Sequence, residues 1–240
     1  MKLICIIPAR YGSTRLSKKM LLPINGKSVI QRTYESAVQS DLFHQVIVAT
    51  DHEQILNVIH DLGGEAVMTP SNLPSGSDRV AYVAKSFSKS DVIVNLQGDQ
   101  PFIKASMLQD LVRPFKELNI DTMSTVGVPI EDFSKLDHSH VKVLVNMKGE
   151  AIYFSRANIP FQMQPTPHLN VLHHIGLYAY TQEFLMYYSR LPRTGLEQAE
   201  SLEQLRVIEH GDPIYVTETQ GETLEINTSA DIEKAIDISI

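Results

Sequence analysis

The sequence predicts an α/β fold, a doubly wound and mostly parallel sheet with a smaller mixed α/β lobe. Short apolar runs, such as those at 46–50 and 92–96, are typical of strands that are buried on both faces. Amphipathic segments, such as 53–62, are typical of helices and alternate with these runs through the first half. The resulting β-α-β-α order favours a parallel sheet with helices packed on it.

The elements of the first half follow from these patterns. The helical segments place apolar residues on one face, and Gly63-Gly64 is a stop signal for the second of them. In chain order we predict a strand at 4–7, a helix at 27–38, a strand at 46–50, a helix at 53–62, a strand at 66–68, a helix at 78–87, a strand at 92–96 and a helix at 106–118.

The second half has a different pattern. We predict two strands within 141–154 around a Lys148-Gly149 turn, an exposed loop at 159–168 and a strand at 174–180. Helices at 182–190 and 200–210, short strands at 214–216 and 223–226, and a last helix that Ser229 caps and that runs to residue 238 complete the chain. No linker is obvious, so we treat residues 1–240 as one domain.

Composition excludes several classes of protein. The chain has 240 residues, 43% of them hydrophobic, and a formal net charge of −7, which argues against a general nucleic-acid binder. The single cysteine, Cys5, lies within the first apolar run, so no intrachain disulfide can form. No stretch has the length of a membrane span or a signal sequence. We therefore expect a cytoplasmic protein without a membrane association.

A basic loop follows the first strand, where ligands bind in open α/β sheets. It contains cations, hydroxyls and glycine suited to a polyphosphate, namely Arg10, Gly12, Ser13, Thr14, Arg15, Lys18 and Lys19. The loop lacks the pattern of a Walker motif and that of a dinucleotide fingerprint. The alternative is a basic loop that is only solvated surface.

Two more segments follow predicted strands of the first half. Asp99 comes after the 92–96 strand, where a carboxylate can hold magnesium that is shared with phosphates, or can simply form a turn. Ser77 and Asp78 open a predicted helix, so each is a candidate N-cap as well as a candidate contact for a base or ribose.

Polar residues of the second half suit an acidic sugar. Arg156 can hold a carboxylate bidentately. Adjacent His173 and His174 point to opposite faces of a strand, which weakens a zinc-site interpretation. Glu203 and Gln204 supply further acceptors and donors, although their spacing also fits an ordinary amphipathic helix.

Taken in order, these segments resemble the CMP-KDO synthetase family, the 3-deoxy-manno-octulosonate cytidylyltransferases. The resemblance covers nearly the whole chain. The matching pieces are Ile-Pro-Ala-Arg-Tyr-Gly-Ser-Thr-Arg-Leu with Lys19, Ile-Asn-Gly-Lys at 24–27, Val-Ala-Thr-Asp at 48–51, Ser-Gly-Ser-Asp-Arg at 75–79, Leu-Gln-Gly-Asp-Gln-Pro at 96–101, Tyr-Phe-Ser-Arg at 153–156, His-Ile-Gly-Leu-Tyr at 174–178 and Glu-Ser-Leu-Glu-Gln-Leu-Arg at 200–206.

The resemblance implies a reaction, in which CTP and an ulosonic acid give the CMP-sugar and pyrophosphate. It implies that Arg10, Lys19 and Asp99 are the catalytic groups and that Asp99 holds Mg²⁺. The implied nucleotide contacts are Ala9, Arg10, Ser13, Arg15, Lys19, Ser77, Asp78, Arg79 and Gln97. The implied sugar contacts are Gln100, Arg156, His174, Tyr178, Glu203 and Gln204.

The resemblance also implies a homodimer and a division of labour along the chain. Residues 1–125 would mainly bind the nucleotide, 126–220 would form the sugar-binding and dimerisation lobe, and 221–240 would return to the core. The anomeric hydroxyl of the sugar attacks the α-phosphorus directly, so no protein nucleophile is needed.

Two positions depart from the family pattern. Lys18 stands where the family has a glycine, which adds a cation beside the phosphates and stiffens the loop. Asn227 falls on the family's second magnesium carboxylate, and an amide oxygen can coordinate but brings no charge. Glu225, two residues earlier, is a possible substitute for the missing charge.

Three functions therefore stay open from the sequence. The first is an active cytidylyltransferase for KDO, a close variant such as 8-amino-8-deoxy-KDO, or another sialic-type acid. The second is a non-catalytic nucleotide-sugar binder, for which Asn227 is the only support. The third is a glycosyltransferase on a similar fold, which would want an Asp-x-Asp motif where this chain has Gly98-Asp99-Gln100.

Overall fold

The computed structural model describes residues 1–13, 16–89, 91–130, 132–133, 136–164, 169–221 and 223–238. Its strands are β1 (Leu3–Ala9), β2 (Pro23–Ile24), β3 (Lys27–Ser28), β4 (Gln45–Thr50), β5 (Glu65–Met68), β6 (Val92–Asn95), β7 (Met123–Pro129), β8 (Lys142–Val145), β9 (Ala151–Ser155), β10 (Val171–Thr181) and β11 (Ile214–Glu218).

The α-helices are α1 (Val29–Gln39), α2 (Glu53–Asp61), α3 (Gly76–Ala84), α4 (Ala105–Glu117), α5 (Gln182–Tyr188), α6 (Gly195–Glu200), α7 (Leu205–Glu209) and α8 (Ser229–Ile238). A 3-10 turn covers Lys19–Leu21. Within the part of the chain that the structure describes, no helix is long and apolar enough to cross a membrane.

The main sheet is mostly parallel, as predicted. Its strands lie in the order β11-β7-β10-β6-β1-β4-β5, with β10 antiparallel to both of its neighbours β6 and β7. The β8–β9 hairpin extends from the first residues of β10, beyond the carboxyl end of β6. The carboxyl ends of β5, β4, β1 and β6 therefore meet at one edge, and the hairpin forms a lobe beside it.

Alternating side chains of β1 divide the core into two layers. Ile4 and Ile6 pack with residues of α3 and α5 on one face of the sheet. Leu3, Cys5 and Ile7 pack with residues of α1, α2 and α4 on the other face. Both layers are almost fully buried, as expected for a strand covered on both sides. Burial also raises the pKa of the Cys5 thiol well above its ordinary value, which makes it inert packing rather than a nucleophile.

A third, smaller cluster holds the C-terminal segment against the start of the chain. Ile226 and Ala235 pack with Ile24 and Val29, beside the β2–β3 hairpin. The Ile226 N–H donates to the Asp99 carbonyl at 2.9 Å. This contact brings residues 225–227 to the carboxyl edge of the sheet.

The structure corrects several predicted elements. No strand covers 223–226. Within the predicted 200–210 helix only Leu205–Glu209 forms a helix beyond residue 200, because α6 ends at Glu200 and Ser201 takes a left-handed conformation at φ 52°. β7, the interior strand beside the edge strand β11, was not predicted. Its Ser124, Thr125 and Gly127 interrupt the apolar run that marks the other strands.

Two predicted helix caps are also corrected. Ser75, rather than Ser77 or Asp78, caps α3. At α8 the capping contacts belong to Thr228, whose N–H donates to the Asp231 carboxylate at 2.8 Å, rather than to Ser229.

Candidate functional site

A cavity of about 280 Å³ opens at the carboxyl edge of the sheet. It lies where β1, β4 and β6 end, beside the start of α3 and the C-terminal segment. Its lining is rich in charged and polar groups, with a few apolar residues, and consists of Pro8, Arg10, Ser13, Lys19, Met20, Leu73, Pro74, Ser75, Gly76, Arg79, Gln97, Asp99, Glu203, Glu225 and Asn227.

The basic loop after β1 forms one side of the cavity. Its Tyr11 backbone N–H donates to the Asp51 carboxylate at 2.9 Å, and the Tyr11 ring stacks on His52 with centroids 3.6 Å apart. Lys18 takes a left-handed conformation at φ 53°, which explains why a glycine suits this position. Arg10 is exposed and makes no ion pair with any residue that the structure describes, so its charge is available to a ligand.

The loop after β6 carries Asp99 and is held from three directions. The Thr33 hydroxyl of α1 donates to the Gly98 carbonyl at 2.8 Å, and Ser36 donates to the Pro101 carbonyl at 3.0 Å. Gly98 itself leaves no room, because a Cβ there would lie 2.9 Å from the Pro8 carbonyl oxygen. With the bond from Ile226, these contacts fix the backbone that carries Asp99.

Lys19, Asp99 and Asn227 meet at the floor of the cavity. The Lys19 Nζ lies 2.5 Å from Asp99 Oδ2 and 3.4 Å from Asn227 Oδ1. Lys19 is held there because it begins the 3-10 turn and is 9% exposed. These three side chains come from positions 80 and 208 residues apart in the chain.

The residues at this floor fit a magnesium ion. Two protein oxygens, one from Asp99 and one from Asn227, point at the same position. In this structure the Lys19 ammonium group occupies that position. Mg²⁺ takes only one or two carboxylates from a protein and completes its shell with phosphates and water. Among the described residues no group of three or more His, Cys, Asp or Glu side chains is arranged for a metal, so a site here would depend on the substrate's oxygens.

A second ion pair lies on the other side of the basic loop, where β4 ends. The Arg79 Nη2 lies 3.0 Å from Asp51 Oδ2, and its Nη1 donates to the Thr69 hydroxyl. Thr69 in turn donates to the Thr50 carbonyl at 3.0 Å. Arg79 is 3% exposed, so its charge is neutralised inside the protein.

The first turn of α3 and Gln97 form the next part of the wall. The Ser75 side chain accepts from the Asp78 N–H at 3.2 Å and donates to the Asp78 carboxylate at 2.8 Å. The Gln97 Nε2 donates to Asn95 Oδ1 at 2.8 Å, which leaves its other donor and its carbonyl oxygen near Gly76. The Ser75 hydroxyl and the Gln97 amide therefore both lie on this wall of the cavity.

Glu203 is the carboxylate at the lobe side of the cavity. Burial raises its pKa, while a hydrogen bond from Ser77 and the charge of Arg206 act in the opposite direction. Arg206 is fixed by a buried ion pair with Glu197 at 2.5 Å and lies over the Tyr188 ring. Glu203 is thus an acceptor held at a free-energy cost, as is common at functional sites.

Strand β10 carries a row of rings that leads from the lobe toward Glu203. His174 lies 5.5 Å from Tyr178, and Tyr178 lies 6.3 Å from Tyr180, between ring centroids. Burial lowers the pKa of His174 to about 3 and raises that of Tyr178, so both side chains are neutral at pH 7. His173 points to the other face and contacts His140, as the strand geometry predicts.

Two buried amides near this row have unpartnered atoms. Gln100 Oε1 and Gln204 Nε2 have no hydrogen-bond partner among the described residues, although both side chains are 3% exposed. A buried polar atom without a partner costs free energy, so its retention points to a role outside the fold. The Gln100 amide nitrogen lies close to Gly176 of β10.

Arg156 follows β9 and is pinned at its backbone on both sides. Its N–H donates to the Glu200 carboxylate at 2.9 Å, and its carbonyl accepts from Lys142 Nζ at 2.6 Å. Its guanidinium donates to the carbonyls of Glu200 and His138. Hydrogen bonds from Ser155 and Arg156 lower the pKa of Glu200 against the opposing effect of burial.

The structure therefore brings together part of the predicted set. Arg10, Ser13, Lys19, Arg79, Gln97, Asp99, Glu203, Glu225 and Asn227 line one cavity. Ala9, Ser77, Asp78, Gln100, Arg156, His174, Tyr178 and Gln204 do not line it, although Ser77 and Asp78 lie in the helix beside it. Arg15 lies outside the described residues. The ligand contacts of all these side chains stay predictions.

Sequence reasoning missed several residues of the wall. Leu73, Pro74 and Ser75 line the cavity but precede the helix that was predicted to begin at residue 78. Asp51 was matched as part of a motif and was given no role. Its position directly after a buried strand was the one signal that could have identified it.

Comparisons with known proteins agree on one kind of protein. A family model described as cytidylyltransferase matches residues 4–220. A protein of Synechococcus elongatus named 3-deoxy-manno-octulosonate cytidylyltransferase is 43% identical over 235 residues, covering 98% of this chain and 96% of the relative. A Leptospira interrogans protein of the same name is 43% identical over 240 residues, covering 98% and 95%.

Solved structures give the same picture. The structure of CMP:2-keto-3-deoxy-manno-octonic acid synthetase complexed with CTP matches with a TM-score of 0.93 at 37% identity, over 100% of this chain and 98% of that one. A 4-diphosphocytidyl-2C-methyl-D-erythritol synthase from Anaerococcus prevotii shares the fold alone, with a TM-score of 0.65 at 12% identity.

Proposed function

The chain belongs to the cytidylyltransferase family, and on that premise we propose that it activates a 3-deoxy-ulosonic acid with CTP. The products are the CMP-sugar and pyrophosphate. The acid is KDO or a close variant such as 8-amino-8-deoxy-KDO, and the activated sugar serves lipopolysaccharide or capsule biosynthesis. The chain is therefore a nucleotidyltransferase, and a glycosyltransferase function is not supported.

The convergence of Arg10, Lys19 and Asp99 at the carboxyl edge is the observation that carries this proposal. The two cations and the carboxylate line one cavity, at the strand ends where α/β folds bind ligands. A triphosphate needs cations, and magnesium needs a carboxylate close to those phosphates. Both requirements are met within this one cavity.

The reaction is a displacement at phosphorus. The anomeric hydroxyl oxygen of the sugar forms a bond to the α-phosphorus, the bond to pyrophosphate breaks, and the hydroxyl proton is lost to solvent. Negative charge spreads over the phosphate oxygens in the transition state, so fixed cations accelerate the step. Arg10 and Lys19 supply these charges, and each well-placed one contributes about 3 kcal/mol.

Lys19 has to exchange partners for this role. Its ammonium pairs with Asp99 at 2.5 Å, and a magnesium ion on that carboxylate would displace the ammonium toward the phosphates. Asp99 and Asn227 would hold Mg²⁺, which when bound neutralises phosphate charge and orients the triphosphate. Release of Lys19 and neutralisation of Asp99 are therefore expected to occur together.

The sugar acid is proposed to lie between the nucleotide cavity and the lobe. Glu203 lines the cavity on that side. Gln100 and Gln204 each have a buried polar atom without a hydrogen-bond partner among the described residues. His174 and Tyr178 are neutral at pH 7 and can hydrogen-bond to sugar hydroxyls. Arg156, with its rigid backbone, is proposed to hold the sugar carboxylate.

A homodimer built through the lobe is part of the proposal. β9 pairs only with β8 in the described sheet, so its outer edge can accept a second chain. Exposed apolar residues on and beside the hairpin, Met147, Ile152, Phe161 and Met163, support an interface there. We also propose a cytoplasmic location, which fits the need for CTP.

Pyrophosphate release tests the proposed function. The purified chain is incubated with CTP, Mg²⁺ and a panel of ulosonic acids, and pyrophosphate is measured by a coupled assay. We expect release with KDO or an 8-substituted variant and none with aldoses that lack a carboxylate. Absence of release with every ulosonic and nonulosonic acid would contradict the proposal.

A further inference from the structure

Asp51 connects the two walls of the nucleotide cavity. One of its carboxylate oxygens accepts from the Tyr11 backbone N–H at 2.9 Å, within the basic loop. The other oxygen lies 3.0 Å from Arg79 Nη2, on helix α3. Neighbouring residues of Tyr11 and the Arg79 side chain itself line the cavity, whereas Asp51 does not.

The contacts of Asp51 determine where two cations can lie. Arg10 precedes Tyr11, so a fixed Tyr11 amide fixes the backbone from which the Arg10 side chain extends. The Tyr11 ring, stacked on His52, anchors the same loop to the residue after Asp51. On the other wall Arg79 is held at both terminal nitrogens, by Asp51 and by Thr69.

We infer that Asp51 is a positioning residue for CTP binding, because it sets the separation between the basic loop and helix α3. This inference rests on the proposed function, since it assumes that the cavity holds the nucleotide. Asp51 neutralises Arg79, so Arg79 contributes hydrogen-bond donors of fixed geometry rather than a free charge. The positive charge that attracts the triphosphate then comes from Arg10 and Lys19.

A positioning role for Asp51 can be distinguished by experiment from a role in stabilising the fold alone. A purely structural ion pair would lower the melting temperature when it is broken and leave the affinity of the folded protein for CTP unchanged. A positioning residue changes nucleotide affinity more than turnover at saturation, and leaves the sugar site alone. Apart from Gln100, the sugar contacts proposed above lie within residues 126–220, and in the described part of the chain none of them bonds to Asp51, Tyr11 or Arg79.

The test compares Asp51→Asn with a matched control. Asn keeps the size of the side chain and one acceptor for Tyr11 but removes the charge opposite Arg79. We expect the Kd for CTP with Mg²⁺, measured by calorimetry, to rise about tenfold, because misplaced contacts lose affinity steeply. The KM for CTP should rise with it, while kcat and the KM for the sugar acid change less than about threefold. Glu183→Gln, which breaks the exposed Lys89–Glu183 pair, should change none of these constants.

Thr69→Val provides a second variant in case Asp51→Asn does not fold. It removes the other anchor of Arg79 and leaves every charge in place. We expect CTP affinity to fall about threefold, since a hydrogen bond from Arg79 to a neutral hydroxyl is weaker than its bond to a carboxylate. Unchanged CTP affinity in every folded variant, with a lower melting temperature alone, would overturn the inference.

The calorimetric measurement needs no sugar acid, so the two proposals fail separately. A wild-type chain that binds CTP and releases no pyrophosphate with any acid would contradict the proposed function and leave the Asp51 comparison valid. A wild-type chain that catalyses the reaction, with Asp51→Asn equal to it in Kd and KM for CTP, would contradict only the role of Asp51.

Discussion

Two ion pairs flank the basic loop, and they differ in what surrounds them. Lys19–Asp99 is the shorter at 2.5 Å, and Asp51–Arg79 is 3.0 Å, with side-chain exposures of 11% and 14% against 11% and 4%. Length and burial do not distinguish their roles. The second pair has more partners in the protein, because Asp51 also binds Tyr11 and Arg79 also binds Thr69.

The first pair has only a weak further partner. Among the described residues, the Lys19 ammonium has one more polar contact, with the Asn227 amide oxygen at 3.4 Å. Its other hydrogens can therefore be directed at a ligand, and the second carboxylate oxygen of Asp99 can accept a cation. The comparison teaches that the pair with fewer partners in the protein is the one that can exchange partners during a reaction.

Removal of the Asp99 charge should have the largest effect. In Asp99→Asn the proposed magnesium site keeps no carboxylate at its floor, since Asn227 already carries an amide. We expect kcat to fall by about 10³ or more, because stabilisation of the phosphate charge is lost. Steady-state pyrophosphate release at saturating CTP measures this.

A matched control for that measurement is Glu35→Gln, which breaks another Lys–carboxylate pair, with Lys27 at 2.7 Å, away from the cavity. Its kcat should equal that of the wild type. A loss of less than about tenfold in Asp99→Asn would show that Asp99 belongs to a fixed, structural pair, contrary to the distinction drawn above.

Removal of the Lys19 charge should have the next largest effect. We expect Lys19→Gln to lower kcat by about 10², the scale of one lost cation in a transition state, with a smaller change in thermal stability. In Asp51→Asn, by contrast, the Kd for CTP should change more than kcat does. If Lys19→Gln changed only the melting temperature, Lys19–Asp99 would be a fixed structural pair and the comparison would fail.

Buried histidines of the second half are fixed in their neutral form, unlike the ion pair at the cavity floor. Burial lowers the pKa of His174 to about 3 from an ordinary value of 6.5, and its Nε2 contacts the Thr125 hydroxyl at 3.0 Å. Between these two pH values the unfolded chain binds a proton that the folded chain does not. Stability is therefore full above pH 6.5 and is lost as the pH falls, by about 2 kcal/mol at pH 5 for this residue.

His174→Gln should remove that part of the acid sensitivity. The free energy of unfolding, from urea titrations at pH 7 and pH 5, should drop less in the variant than in the wild type. Some sensitivity should remain, because burial also lowers the pKa of His173, to about 4. His138→Gln, at an exposed position, should behave as the wild type does. Equal drops in all three proteins would mean that His174 is protonated in the folded state.

Asn227→Asp should have the smallest effect and sharpens the contrast at the cavity floor. A second carboxylate near Lys19 should lower the Mg²⁺ concentration needed for half-maximal activity by about tenfold, while kcat stays within about threefold. Titration of activity with Mg²⁺ measures both. A gain of a hundredfold or more in kcat would instead show that the present chain is a nucleotide-sugar binder that has lost turnover.

Much of the nucleotide side was predictable from the sequence, since its groups follow buried strands in short, contiguous motifs. Arg10 and Asp99 could be placed at the carboxyl edge because β1 and β6 are parallel and apolar. Asn227 could be placed there only through the resemblance, since a chain separation of 208 residues from Lys19 carries no local signal.

The lobe was harder to predict because its contacts are assembled from distant segments. β7 went unrecognised since Ser124 and Thr125 interrupt its apolar run, yet both side chains are buried and donate to carbonyls. The break between α6 and α7 depends on one left-handed residue, Ser201, which no propensity favours. The pinning of Arg156 by Lys142 and Glu200 likewise follows from tertiary structure alone.

A crystal structure of this chain with CTP and Mg²⁺ tests the central claim most directly. We predict phosphate oxygens within about 3 Å of Arg10 and Lys19, a metal on Asp99, a separated Lys19–Asp99 pair and an unchanged Asp51–Arg79 pair. An intact Lys19–Asp99 pair with the nucleotide bound elsewhere would contradict it.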